Sequence, residues 1–399
     1  MTRSRTLFVL LSIALLASLA GGRWFVAAAQ QEGEDSLYKY LSTFTEVLTL
    51  ISRAYVDETD VETLMTGALD GTTDALDPFS VYVPAAHVDS YVAAREIGSR
   101  YSGVTLLKER GIAFVLSVAE GSPAAGAGVE AGDVVTTIDG RETRVMPLWE
   151  VQRALAGEPG RKIELELIRR GEDKTAAFTL APFEVPRARL EAVGEGERKG
   201  AVLRILRFDG ETPKVVAGLV RQAREAGHGR LLVDLRDTAE GDAAVAYEVG
   251  GLFAKGELGR LVRREESLQV YREDEAPAWD GELVVTINRG TLGAAEVLAS
   301  ILDQSAGAEL VGETTFGHAG RQERADLSTG GGLFFTGAFF TGPDGEPLQE
   351  GLEPDQVVDS FLRDYEEREV PTSELILRRG ISALLDGAGA VAEALPEAA

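Results

Sequence analysis

The sequence predicts an α/β core of parallel strands, preceded by a compact β-rich module and an N-terminal helical segment. Three observations carry this prediction. Apolar residues recur at helix spacing through residues 36–95. Residues 98–184 then switch to short alternating strands punctuated by glycine. From residue 200 onward, short apolar strands alternate with helices, an order that favours parallel pairing. A chain of 399 residues is long enough for two or three such domains, each with its own core.

Residues 1–29 read as an export signal and not as fold. MTRSR supplies positive charge, LFVLLSIALLASLAGG an apolar stretch, and Ala27-Ala28-Ala29 a small-residue cleavage site. The chain is therefore expected to be exported, periplasmic or otherwise extracytoplasmic. The apolar stretch is short for a membrane span, although retention as an uncleaved anchor stays open. Residues 30–97 form the helical region. Phe44, Val47, Leu48, Ile51 and Tyr55 share one face, and Val61, Leu64, Met65, Ala68 and Leu69 another. LDPFSVYV ends the pattern, because Pro78 disfavours helix at Asp77.

Residues 98–184 contain the strand GIAFVLSVAEG, the turn and strand GSPAAGAGVEAGDVVTTIDG, the short helix MPLWEVQRALAG, and the strands KIELELIRRG and KTAAFTLAPF. Residues 185–362 form the core. AVLRILRF is a strand, and Thr212 caps a helix with Pro213 at its first position. LLVDLRD, ELVVTIN and AELVGE are strands separated by the helices DAAVAYEVGGLFA and GAAEVLASILDQS. In the tail, 363–399, TSELILRRGISALL is amphipathic and expected to pack on the core, and AGAVAEALPEAA to fray.

Composition narrows the chemistry. A formal charge of −25 disfavours nucleic acid or an anionic membrane as partner. The absence of cysteine removes disulfides, thiolate metal sites and cysteine nucleophiles. His87, His228 and His318 are far apart in sequence, so neither a histidine-built metal site nor any cofactor is expected. One stretch asks for explanation. NRGTLGAAEVL turns a strand abruptly into a helix through small residues, a common seat for a nucleophile because backbone N–H groups converge there. Its tip, Gly293, has no side chain.

GSPAAGAGVEAGDVVTTIDG, GRLLVDLRD, VVTINRGT, ELVGETTFG and FFTGPDGEPLQEGLEPD occur in an order that resembles the carboxyl-terminal processing (tail-specific) proteases. These are secreted S41-type serine peptidases with an inserted PDZ domain, and LDPFSVYV is similar to their N-terminal region. The resemblance implies a ClpP/crotonase-like protease core. It also implies a serine–lysine dyad: a serine in a G-[ST]-A-S-A-[SA]-E turn and a desolvated lysine in T-F-G-K-G. Laid on those patterns, Gly293 takes the nucleophile position, His318 the base position, and Gln322 that of the glutamine orienting the base. The D-L-R-N-N-P-G-G loop, whose glycine amide helps form the oxyanion hole, reads DLRDTAEG here. It puts Glu240 at the first glycine and Gly241 at the second.

Each replacement opposes amide hydrolysis. Glycine offers no lone pair, and a carboxylate repels the negative charge an oxyanion hole stabilises, unless Glu240 is a solvated loop charge that Gly241 lets swing outward. No lysine follows Lys255. Ser300 is seven residues along the helix from Gly293, roughly 10 Å away at about 1.5 Å per residue. Thr291 is the one nearby hydroxyl. It could pair with His318 as base, or it could satisfy backbone groups at the turn. His318 reads as a remnant base or as a pH-sensing contact beside Glu240 or Glu313.

In the PDZ-like module, the segment YSGVTLL replaces the family's G-[IL]-G-[IV], keeping Gly103 but placing Thr105 at the second glycine. Gly103, Val104, Thr105 and Leu106 are expected to receive a peptide C-terminus as an added strand. Leu106, Leu148, Val151 and Leu155 are expected to line an apolar side-chain pocket, with plain core as the alternative for each. The reading is an exported pseudoprotease that binds protein C-termini or unfolded peptides without cutting them. Two alternatives stay open: an active serine endopeptidase with a non-standard site, and a structural subunit of a homo-oligomer or of a complex with an active paralogue.

Overall fold

The computed structural model describes residues 38–196, 198–358 and 370–386. The export signal and AGAVAEALPEAA lie outside these residues. The chain divides into two units after Gly71. The first holds helix α1 (38–54) and most of α2 (Val61–Asp74). Asp60 caps α2, accepting the Glu62 and Thr63 N–H groups at 3.2 and 3.1 Å.

In the second unit the Asp77 carboxylate accepts the Phe79 and Ser80 N–H groups, both at 2.8 Å, and turns the chain into β1 (Val81–Val83). LDPFSVYV therefore ends one helix and also starts a strand, before α3 (Val88–Ile97). The β-rich module follows with β2 (Val104–Glu109), β3 (Ile112–Val118), α4 (Pro123–Gly126), β4 (Val134–Ile138) and β5 (Arg141–Glu142). It closes with α5 (Leu148–Leu155), β6 (Lys162–Arg169) and β7 (Glu172–Thr179). The sheet order is β2-β3-β4-β6-β7, with β5 on β4. Strand β2 is thus an edge, and α5 packs beside it. An edge strand next to a helix leaves ladder groups for an added strand.

The core runs β8 (Ala188–Glu195), β9 (Arg198–Ile205), α6 (Thr212–Glu225), β10 (Arg230–Asp234) and α7 (Ala243–Gly250). After the hairpin β11 (Gly256–Arg263) and β12 (Glu266–Glu273) come β13 (Glu282–Ile287), α8 (Ala294–Ala306) and β14 (Glu309–Gly312). Then follow β15 (Gly320–Asp326), β16 (Gly332–Phe340), β17 (Gln356–Val357) and α9 (Thr372–Asp386). The central sheet has the order β17-β14-β13-β10-β9-β8, all parallel except β8.

Alternation along each strand separates its two faces. Leu203, Leu231, Val233, Val285 and Leu310 pack under α6, α7 and α8. Their neighbours Val202, Leu232, Val284 and Val311 meet Leu375, Ile376 and Leu384 of α9. Both faces are dry, which is why these strands read as continuous apolar runs. Thr212 departs from expectation. It is the first residue of α6, and its hydroxyl accepts the Asp209 N–H and donates to the Arg207 carbonyl.

A third sheet was not expected: β1-β16-β11-β12, with β15 also on β16. Its β1–β16 pair joins residues more than 250 positions apart, Val81 with Phe334.

At the end of β10, Asp234 is buried with two cations. Arg236 makes a two-pronged contact at 2.7 Å for each prong, Arg204 lies at 2.9 Å, and the Thr286 hydroxyl donates at 2.8 Å. Burial alone would raise the Asp234 carboxyl pKa, but these partners pull it down to about 2. Arg236 also donates to the Ser373 carbonyl, and the Ser373 hydroxyl donates to Asp237 at 2.8 Å. Helix α9 thereby anchors the loop that follows β10.

Candidate active site and peptide cleft

The turn from β13 to α8 is built by Asn288. Its side-chain carbonyl accepts the Asp237 and Gly290 N–H groups at 2.9 and 3.0 Å, and its amide donates to Asp237 at 2.7 Å. The Thr291 hydroxyl accepts the Asn288 N–H and donates to the Leu235 carbonyl, each at 3.0 Å. Thr291 is fully buried. Its oxygen is therefore spent on backbone groups and does not reach His318 as a nucleophile would.

Gly293 ends the turn with φ +62° and ψ −110°. This is a conformation that side-chain-bearing residues adopt only under strain. A Cβ built there meets nothing within 4 Å. The seat is thus open, and its strained backbone is the kind on which a nucleophile elbow relies.

The loop after β10 packs directly on this turn, since the Leu292 N–H donates to the Thr238 carbonyl at 3.0 Å. Further along, Phe208 N–H donates to the Glu240 carbonyl at 3.1 Å, and Asp242 N–H to the Phe208 carbonyl at 3.0 Å. Gly241 has φ +132°, and a Cβ there would lie 2.3 Å from the Phe208 carbonyl oxygen. The second glycine of the loop is kept where backbone contact demands it, and the first has become Glu240. Burial raises the Glu240 carboxyl pKa, with Arg207 opposing.

His318 is buried at 8% exposure. Its ring stacks on Phe79 at 4.0 Å between centroids and meets the Phe339 ring edge-on at 5.3 Å. Its Nε2 lies 3.2 Å from the Thr336 hydroxyl, which accepts from Gln322 Nε2 at 2.7 Å. Gln322 therefore reaches His318 through one intervening hydroxyl. The acidic neighbour acting on the ring is Asp77, not the anticipated Glu240 or Glu313. Burial lowers the His318 pKa to about 4 from the usual 6.5, and Asp77 only partly offsets this.

The sign follows directly. The unfolded chain takes up the histidine proton first, so this contribution is intact above pH 6.5 and is lost as pH falls towards 4. Between pH 7 and 5 it should remove about 2 kcal/mol. His318→Phe, which keeps the stack, should show a smaller difference in urea midpoint between those two pH values than the unaltered chain. An equal difference in both proteins would refute this assignment.

One residue that sequence reasoning gave no role joins the Gly293 turn to the His318 block. Glu296, in the first turn of α8, has no exposed surface. One of its carboxylate oxygens accepts the Gly293 and His318 N–H groups at 2.9 and 3.0 Å. The other accepts the Thr315 hydroxyl at 2.6 Å and the Gly317 N–H at 2.5 Å. Burial pushes its pKa up, and these bonds pull it back. Four donors and no acceptor is the pattern of an ionised carboxylate. Its position three residues into a helix, where a glutamate commonly bonds back to the cap, was the available signal.

The β-rich module leans on the same turn. Leu107 and Leu116 cluster with Leu292, and Phe79, Phe114 and Phe316 pack against them. A cavity of about 580 Å³ is lined both by Thr105, Leu106 and Leu155 of the module and by Glu240, Gly241 and Gln322 of the core. Val104 lines it as well, but Leu148 and Val151 do not. Leu148 packs with Val81, Tyr91 and Phe334. Val151 is wholly inside the module core, although it shares a helix face with Leu155. Gly103 is also corrected. Its N–H donates to the Ser99 carbonyl at 2.6 Å, and a Cβ would sit 2.1 Å from that of Ser122. Close packing explains this glycine, and its amide is not available to a carboxylate.

A PDZ-type module joined to an α/β core with a nucleophile-type turn defines a protease-fold class. The family model for peptidase family S41 matches residues 199–358, a PDZ domain model residues 114–169, and that of the activating protease CtpB N-terminal domain residues 22–86. A carboxyl-terminal-processing protease of Synechocystis sp. is 29% identical over 63% of this chain and 60% of its own length. The carboxy-terminal processing protease CtpA of Bacillus subtilis is 26% identical over 90% of this chain and 77% of its own. The chain thus spans less than two thirds of the length of the first of these relatives. The fold is like that of a photosystem II D1 C-terminal processing protease, with TM-score 0.66 and 24% identity over 86% of this chain and 96% of that one. These matches support a carboxyl-terminal processing protease family for this chain.

Proposed function

We propose that this chain is an exported peptide-binding pseudoprotease: it holds protein C-termini or unfolded segments in the cleft between the PDZ domain and the protease core without cutting them. The observation that carries the reading is the turn at Gly293, which has the shape of a nucleophile seat and no oxygen on it. The surroundings agree. Thr291 is bound into the backbone, His318 stays neutral and packed, and Glu240 brings negative charge to the oxyanion loop. Loss of nucleophile and base leaves only residual acceleration over water. Export rests on the signal-like first 29 residues. Among the described residues no helix is long and apolar enough to cross a membrane.

The purified full-length protein should leave casein intact and resist labelling by a fluorophosphonate, while binding apolar peptides with free C-termini. An acyl adduct mapped to any cleft hydroxyl would establish the active-enzyme alternative. The groove itself is tested at Thr105. This half-buried residue lies on edge strand β2 and lines the cavity. Leu106 is unsuitable, because it is also part of the domain core. Thr105→Trp should fill the groove and weaken peptide binding by roughly tenfold or more, as fluorescence anisotropy reads it, with little change in melting temperature. Unchanged affinity in the folded variant would place the peptide elsewhere.

A further inference from the structure

We infer that Glu240 makes the cleft selective for a peptide carrying a lysine or arginine upstream of its free C-terminus. The inference rests on the peptide-binding reading above and names the occupant of that cleft. Five other charged groups bear on Glu240. Arg95, Arg100, Arg207 and Asp209 line the same cavity, and Arg187 joins them through Asp209. Most are already matched. Arg207 donates to Asp209 at 2.6 Å, and Arg187 to the same carboxylate at 2.7 Å. Arg95 lies over the Phe334 ring at 5.3 Å and the Tyr91 ring at 6.0 Å. Among the described residues no hydrogen bond or ion pair engages the carboxylate of Glu240 or the guanidinium of Arg100.

Glu240, which among the described residues has only a charge attraction from Arg207 and no ion pair, and Arg100 therefore line one cavity from different loops. Arg100 is on the loop entering β2, and Glu240 on the loop after β10. A strand added along the β2 edge would offer its terminal carboxylate to Arg100, since the Gly103 amide is already engaged by Ser99. Further back along that strand, a basic side chain would meet Glu240. The backbone hydrogen bonds of Glu240 and Asp242 with Phe208, with Gly241 wedged between, hold this loop in place on the cavity wall. Glu240 is solvent-accessible at the cavity, so a basic side chain can reach its carboxylate. Glycine at this position would recognise nothing, so the change that weakens an oxyanion hole also supplies a recognition group.

The test uses the full-length protein and fluorescein-labelled peptides with free C-termini. One lysine is moved a position at a time through an otherwise uncharged apolar sequence, and each peptide is compared with its acetyl-lysine counterpart. One register should bind roughly fivefold tighter than its acetylated form, with the gap shrinking as salt rises. Glu240→Gln should erase that gap, and Glu240→Lys should shift the preference to a glutamate in the same register. Binding with no lysine preference, or a preference that survives Glu240→Gln, would overturn this inference alone. Failure of every peptide to bind would overturn the peptide-binding reading beneath it. If the Glu240 variants do not fold, the acetyl-lysine comparison on the unaltered protein decides.

Discussion

Gly293→Ser combined with His318→Lys should yield a chain that labels with a fluorophosphonate and slowly cleaves casein, beyond any activity of the unaltered protein. The turn is already in place, with φ +62° and ψ −110° and open space where a Cβ would point. A serine there carries backbone strain of about 1–3 kcal/mol, which the surrounding bonds must hold. Glu296, Asn288 and Thr291 supply those bonds. A lysine replacing His318 would sit between the Phe79 and Phe339 rings. The same burial that depresses the histidine pKa would draw a lysine towards its neutral, basic form.

Adding Glu240→Gly removes the charge that opposes the oxyanion and should raise the rate further, by a factor on the order of 10²–10³. Gly293→Ser alone should remain almost inert, because a hydroxyl without a base is a poor nucleophile. Label should map to the introduced serine. A folded triple variant that takes up no label would mean that the two blocks are not aligned as the carboxylate of Glu296 joins them.

Glu296→Ala should produce the largest loss of stability of any single change at the site, about 3–5 kcal/mol by urea unfolding. It strands four buried donors at once: the N–H groups of Gly293, Gly317 and His318, and the Thr315 hydroxyl. Glu296→Gln should be nearly as damaging. Each carboxylate oxygen accepts two donors, so the amide nitrogen would face two of them and accept from neither. In the restored Gly293→Ser, His318→Lys background, either change should also abolish labelling. A loss below about 1 kcal/mol for Glu296→Ala would show that water replaces the carboxylate and that the clasp is not structural.

The parts of the fold that were legible in the sequence share one property: each is signalled by residues close together. The run LLVDLRD is apolar on both faces and becomes central strand β10. TSELILRRGISALL has one apolar stripe, which α9 buries against Val202 and Leu232. The β11–β12 hairpin and strand β15 were missed because they mix charged with apolar residues and remain partly or largely exposed. Their strand character depends on partners such as Val81, far away in the chain. Leu148, Val151 and Leu155 look alike in sequence, and only Leu155 reaches the cavity.

By itself the sequence determined which chemical groups the protein owns. There is no cysteine, no lysine after Lys255, and no hydroxyl or thiol at Gly293. Such absences survive any folding, because no arrangement of the backbone can create an oxygen that was not encoded. Tertiary structure alone decided which groups meet: Glu296 with the stretch from Thr315 to His318, Asp77 with His318, and Glu240 and Arg100 on one cavity. Those meetings depend on pairings between distant strands, and the local periodicity of a sequence carries no record of them.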